Sequence, residues 1–301
     1  MKENDLKLSD LYPSHSWWVP GVKGMFVLFG CILLGMVLGS ILDIFLKSIL
    51  PMEMIDKYNK LVLTPLTYLP AIIYVSRKSL RNSQSGIGYK LNSSHFGSFK
   101  GWQIALITVA LVFATMITAE WPNYWNDRFL ESIPSMQSFH EMITEILKNG
   151  MTDPPFWVSV ICTAIFPAIF EEWLCRGVVL RGLLTRMKPV WAIVISALFF
   201  GVIHLNPWQM LNAFILGMLL GYIYYKTGSL WLTMLYHFVN NGSLVILAQI
   251  PAMEEVDYFK DLIPLSIYVV VYALCVVVLV ASLMAFQRIP LEQERGNIDR
   301  R

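Results

Sequence analysis

Apolar residues in this chain run too long for the core of a soluble domain. A bilayer-spanning helix takes about 20 mostly apolar residues. Stretches of that kind cover roughly 24–46, 60–76, 101–120, 155–175, 189–206, 209–225, 229–249 and 263–286. The second and fifth are the shortest. The pattern predicts an all-α, polytopic membrane bundle of about eight transmembrane helices. A different rhythm runs through 136–149, where Met136, Phe139, Met142, Ile143, Ile146 and Leu147 recur at helical spacing. It predicts an amphipathic helix on the outer interface or covering the bundle. No internal repeat is evident. The chain reads as a single integral membrane domain, 1–301, with a motif-bearing core at 155–250 and a solvated, cytoplasmic tail at 287–301. The first apolar run is too long for a signal-peptide core and no A-x-A-like cleavage site follows, so it reads as a retained anchor.

Composition agrees: 56% of the residues are hydrophobic and 15% charged, where a soluble domain has about a quarter charged. A net charge of +2 is too small to suggest a nucleic-acid partner. Placement says more. Arg77, Lys78, Arg81, Lys90 and Lys100 share one loop, Arg176, Arg181, Arg186 and Lys188 a second, and Arg288, Arg295, Arg300 and Arg301 the tail. Acidic residues instead fill 121–154 (Asp127, Glu131, Glu141, Glu145, Asp153) and 250–262 (Glu254, Glu255, Asp257, Asp261). Cytoplasmic loops collect Lys and Arg. Both termini are therefore expected in the cytoplasm, with the chain in a bacterial inner (cell) membrane. Trp17, Trp18, Trp121, Trp191, Trp208 and Trp231 fall near run ends and predict an interfacial aromatic belt. The four cysteines show no C-x-x-C pair and read as small packing residues.

Against this background a few polar residues stand out, because intramembrane ionisable groups face protein or water cavities and mark function. Glu171 and Glu172 close the fourth run. Glu172 and Arg176 are i,i+4 with the acid first, the favourable order for a pair. Glu171 points about 100° away on a helix, which leaves it as the unpaired acid. Phe200 and His204 share a face at the end of the fifth run, and Gly201 lets another backbone approach. His237 and Asn241 share a face in the seventh, and both can donate hydrogen bonds to a developing oxyanion. Asn240 reads as interhelical glue. At 1.5 Å per residue, Glu171, His204 and His237 lie about 24, 20 and 16 Å from the basic ends of their runs. The expected site therefore sits at one level and opens to the inner half of the bilayer. A carboxylate with a histidine activates water, and a histidine with a carboxamide holds the oxyanion: a kit for amide hydrolysis without a covalent intermediate.

Glu-Glu-x-x-x-Arg, then Phe-x-x-x-His, then His-x-x-x-Asn together resemble the CPBP family of intramembrane proteases. This is the CAAX-processing and bacteriocin-processing, or Abi, family, with its Ras-converting type of prenyl-protein endopeptidase. The resemblance covers residues 155–250. It implies that Glu171 and His204 activate water, that His237 and Asn241 form the oxyanion hole, and that Glu172, Arg176 and Phe200 support them. It implies a peptide or lipidated-protein substrate in the bilayer, cut C-terminal to a prenylated cysteine or within a bacteriocin-type peptide. No cofactor is expected; the alternative is zinc on Glu171, His204 and His237. Two other classes compete. One is a non-catalytic membrane interaction or immunity protein that keeps the cluster as structure. The other is a proton-coupled transporter, against which stands the lack of an inverted repeat.

Overall fold

The computed structural model describes residues 20–82, 94–253, 256 and 258–291, without the side chains of 80–82. The tail beyond 291, Trp17, Trp18, Lys90, Glu254, Glu255 and Asp257 lie outside them. Among the described residues there is no strand. The helices are α1 Val22–Ile49, α2 Met52–Tyr58, α3 Lys60–Asn82, α4 Gly101–Glu131, α5 Pro134–Thr152, α6 Phe156–Leu184, α7 Pro189–Val202, α8 Pro207–Thr227, α9 Leu230–Ala248 and α10 Leu265–Gln287. The chain is an all-α polytopic bundle.

Each expected apolar run is a helix, but the count of eight spans is not confirmed. By length and apolarity α1, α4, α6, α9 and α10 suffice to cross a membrane. At about 1.5 Å per residue, α7 with its 14 residues reaches only about 21 Å, short of a hydrocarbon core of about 30 Å. Pro65 and Pro70 lie inside α3, and α8 carries Gln209, Asn212 and Lys226. The expected amphipathic helix is α5.

Contacts between segments distant in sequence define two ends. At one, Arg186 donates to the Pro20 carbonyl, His95 N–H to the Thr227 carbonyl, and Ser94 bonds Ser229. At the other, Asn126 reaches the Pro207 carbonyl, Gln249 the Met151 carbonyl, and Tyr258 bonds Asp127. The first end holds Lys23, Arg77, Lys78, Lys100, Arg181, Arg186, Lys188, Lys226 and Arg288, and no described Asp or Glu. The acidic loops collect at the second. Trp191 and Trp231 are exposed, as an aromatic belt requires. Trp208 corrects that expectation: it is buried, stacked on His140 at 4.5 Å and beside Phe139, because α5 folds over the start of α8.

α6 is not a uniform α-helix. It winds as π turns over Val160–Ile165 and Trp173–Leu180, with α turns between and outside them. π turns inside α-helices recur at functional sites, and these two bracket Glu171 and Glu172. The four cysteines are unpaired, as expected.

α7 and α8 pack closely through small residues. A Cβ on Gly201 would meet the Met210 carbonyl oxygen at 2.9 Å; one on Gly217 would meet Ala197 Cα at 2.9 Å and Phe200 Cδ1 at 3.3 Å. Gly217→Val should therefore destabilise by about 1–3 kcal/mol, the usual cost of overpacking. Gly30→Ala, with nothing within 4 Å of the new methyl, should stabilise α1 slightly. Thermal unfolding in detergent checks both: a midpoint lowered by the first and not by the second.

Candidate active site

The site is built outward from Arg176. This guanidinium is 1% exposed. Its Nη1 donates to Glu172 Oε1 at 2.8 Å and its Nη2 to the Gly217 carbonyl at 3.2 Å. Its charge lies over the Phe200 ring, 4.5 Å from the centroid. The i,i+4 pairing expected for Glu172 and Arg176 is present. A buried charge of this kind is tolerated only with a partner and hydrogen bonds, and three helices supply them.

Phe200 then orders the imidazoles. Its ring meets His204 and His237 in edge contacts, with centroids 5.0 and 5.7 Å apart. His204 lies two residues past the end of α7 and turns its Nδ1 onto the Phe200 carbonyl at 2.7 Å. The next residue, Leu205, takes a left-handed backbone (φ 51°), which costs a residue with a side chain about 1–2 kcal/mol. That turn lets the chain enter α8 directly. His237, from α9 and 2% exposed, sets its Nδ1 3.0 Å from Glu172 Oε1.

These contacts fix tautomers. A carbonyl and a carboxylate only accept, so each Nδ1 carries a hydrogen. Each Nε2 is left to face the cavity. Glu171 closes the set from α6. Its Oε1 accepts from the Tyr68 hydroxyl of α3 at 2.8 Å. Its Oε2 is buried with no hydrogen-bond partner, 3.9 Å from His204 Nε2 and 3.8 Å from His237 Nε2. Those gaps are too long for direct bonds and suit one bridging molecule.

Asn241 lies on the same face of α9. One amide hydrogen goes to the Thr163 carbonyl at 3.0 Å, and its oxygen accepts from Asn240. A second amide hydrogen remains. Thr163 lies in the first π turn. Glu171, Phe200, His204, His237 and Asn241 all line one cavity of about 350 Å³. A second cavity of about 470 Å³ shares Asn212, Leu216, Asn240 and Leu244 with it.

All seven residues singled out in the sequence are thus brought together around one centre. Two expectations need correction. The cavity reaches away from the basic end: Lys60, Ile146, Leu147, Gly150 and Met151 line it from the acidic end. Asn240, read as glue alone, lines both cavities and orients Asn241. Tyr68, Gln209 and Asn212 escaped notice. Tyr68 is one aromatic in an ordinary apolar run, and nothing local marks its partner 103 residues away.

His204 Nε2, His237 Nε2 and Glu171 Oε2 have the donor chemistry of a zinc site, with each second nitrogen engaged as in metal-bound histidines. Their placement does not complete one. No group of three His, Cys, Asp or Glu side chains among the described residues is disposed to hold a metal ion. Glu171 Oε2 stands 3.9 and 3.8 Å from the Nε2 atoms of His204 and His237.

A family model, type II CAAX prenyl endopeptidase Rce1-like, matches residues 153–243. No curated protein and no solved structure matches the chain. The matched stretch contains Glu171, Glu172, Arg176, Phe200, His204, His237 and Asn241 in the order and spacing of the three motifs, and it ends before α10. The match over residues 153–243 supports the resemblance to the CPBP family carried by the three motifs.

Proposed function

We propose that this integral membrane protein is an intramembrane endopeptidase that hydrolyses a peptide bond by activated water, without a metal. The observation that carries the reading is Glu171 Oε2, buried, unpartnered and nearly equidistant from two imidazole Nε2 atoms. A water there gives one hydrogen to Glu171 and one to the His204 Nε2 lone pair. Its own lone pair is then free for a carbonyl carbon.

With a hydrogen on Nε2, His237 is a donor to the cavity, while Glu172 accepts from its Nδ1. Attack breaks a water O–H bond, with the proton passing to Glu171, and forms the C–O bond. The carbonyl pair moves to oxygen. His237 Nε2–H and the second Asn241 amide hydrogen receive the oxyanion. Collapse breaks the C–N bond, and the leaving amine takes the proton from Glu171. Tyr68 and Arg176 are positioning residues. The substrate is a membrane-associated peptide or lipidated polypeptide, of the CAAX type named by the matching family or of a bacteriocin type.

Glu171→Gln keeps an acceptor for Tyr68 but cannot take the proton. It should reduce cleavage of a prenylated peptide by at least about 10²-fold with an unchanged unfolding midpoint. Asn241→Ala should cost about 10²–10³ in kcat. Wild-type kinetics in Glu171→Gln would remove the base. If a Glu171→Gln, His204→Ala strain keeps the cellular role, the cluster serves a non-catalytic interaction protein instead.

Metal independence has its own measurement. Chelator treatment should leave activity intact, and elemental analysis should find substoichiometric zinc. One zinc per chain, lost together with activity, overturns this part.

For orientation, the basic end is assigned to the cytoplasm with both termini, in a bacterial cell membrane. The cavity then reaches toward the other side. In a chain with its native cysteines replaced, Gln209→Cys should react with a membrane-impermeant maleimide on intact cells. Labelling only after lysis would reverse the assignment.

A further inference from the structure

The wall between the two cavities carries polar groups that the mechanism leaves unused. Asn212 and Asn240 line both cavities, Asn241 the first and Asn123 the second. These four carboxamides form two pairs. Asn240 Nδ2 donates to Asn241 Oδ1 at 3.0 Å, and Asn123 Nδ2 donates to Asn212 Oδ1 at 3.1 Å. A carboxamide has one oxygen acceptor and two N–H donors, so a pair joined head to tail by one bond keeps an acceptor at one end and donors at the other. In the first pair these are Asn240 Oδ1 and the Asn241 amide hydrogen not given to the Thr163 carbonyl. In the second they are Asn123 Oδ1 and the Asn212 amide hydrogens. No described residue bonds Asn240 Oδ1 or Asn212 Nδ2.

Asn123 Oδ1 sets this wall apart from ordinary interhelical glue. It is buried without a hydrogen-bond partner, and an acceptor stranded in that way is costly. A side chain that only ties α4 to α8 gains nothing from a stranded oxygen. Asn123 Oδ1 lacks a donor, and the Asn212 amide beside it lacks an acceptor. One backbone peptide group supplies both. Around these groups the surface is apolar: Leu216 and Leu244 belong to both cavities, and Leu247, Met253 and Phe259 line the second. At about 350 and 470 Å³ both cavities have the size of ligand pockets. Main-chain partners set among apolar pockets are the means by which an extended peptide is held, its backbone giving affinity and its alternate side chains filling the pockets.

Building on the endopeptidase reading, we propose that this wall binds the main chain of the substrate. An extended polypeptide runs from the oxyanion position at Asn241 past Asn240 and Asn212 into the second cavity, where one of its peptide groups pairs with Asn123 Oδ1 and Asn212 Nδ2. The second cavity is then a subsite for residues beside the scissile bond. Asn123 and the whole of α4 lie outside the stretch matched by the family model.

The experiment uses the purified full chain in detergent and a quenched fluorescent peptide carrying a farnesylated cysteine. Mass spectrometry locates the cut, and the backbone amides on either side of it are then N-methylated one at a time, the scissile amide excepted. At one position the methyl should lower wild-type kcat/KM by about 3- to 10-fold, the loss expected for one hydrogen bond. Asn123→Leu removes the acceptor. It should raise KM for the unmethylated peptide by a similar factor and lose almost nothing further at that methyl, the coupling that a double-mutant cycle detects. Asn212→Leu should raise KM likewise. Thermal unfolding of the variants reports any loss of fold. Equal wild-type cleavage of every methylated peptide removes the subsite and leaves the endopeptidase standing. A folded Asn123→Leu with wild-type KM does the same, as does a methyl that slows this variant as much as wild type. Variants that lose kcat in step with their stability make the pairs interhelical glue alone. Wild-type protein that leaves the unmethylated peptide uncut defeats the endopeptidase reading on this substrate class, and the subsite with it.

Discussion

The centre depends on one buried cation. Arg176 is almost wholly out of water, where an unpaired charge costs several kcal/mol. Its surroundings answer that cost with three different chemistries: the Glu172 carboxylate, the Gly217 carbonyl and the face of Phe200. Each comes from a different helix, so satisfying the guanidinium also registers α6, α7 and α8 against one another. Gly217 has no side chain because the Ala197 backbone and Phe200 occupy the space where one would be. Removing either partner of such a pair strands the other charge, which is why this part of the bundle tolerates little change.

From that registration the reactive geometry follows. Glu172, held by Arg176, orients His237 through Nδ1. Phe200, held by the same cation, orients both imidazoles. Two adjacent glutamates therefore have opposite environments. Glu172 faces a fixed positive charge within the protein. Glu171 faces a cavity, with one oxygen tied by Tyr68 and the other unpartnered. The π turns of α6 flank this pair on both sides. Two of their carbonyls are met by side chains from neighbours: Asn241 reaches Thr163, and Ser196 reaches Cys175.

The reach of the cavity was misjudged from sequence for a specific reason. Distances of about 24, 20 and 16 Å from the basic helix ends exceed half of a hydrocarbon core of about 30 Å. They place the polar groups beyond the midplane, nearer the acidic end. α5 bears this out, since Ile146, Leu147 and Met151 cover the cavity there. Trp208 was misplaced for a related reason. A tryptophan at a helix end suits an interface, but this one lies beneath α5 and stacks on His140.

What the linear chain determined was everything carried by local spacing. Long apolar runs specify helices in lipid, because backbone groups there must be satisfied within their own segment. The i,i+4 intervals of Glu172 with Arg176, Phe200 with His204, and His237 with Asn241 put each pair on one helical face. The third dimension decided what no interval encodes. It chose the helix that brings Tyr68 to Glu171 across 103 residues, and it set which nitrogen of each imidazole faces the cavity. It gave Asn240 a task and left Lys60 beside an open space. Those outcomes depend on how helices far apart in sequence pack, and packing is settled by complementary surfaces of the whole bundle, not by the periodicity of any one segment.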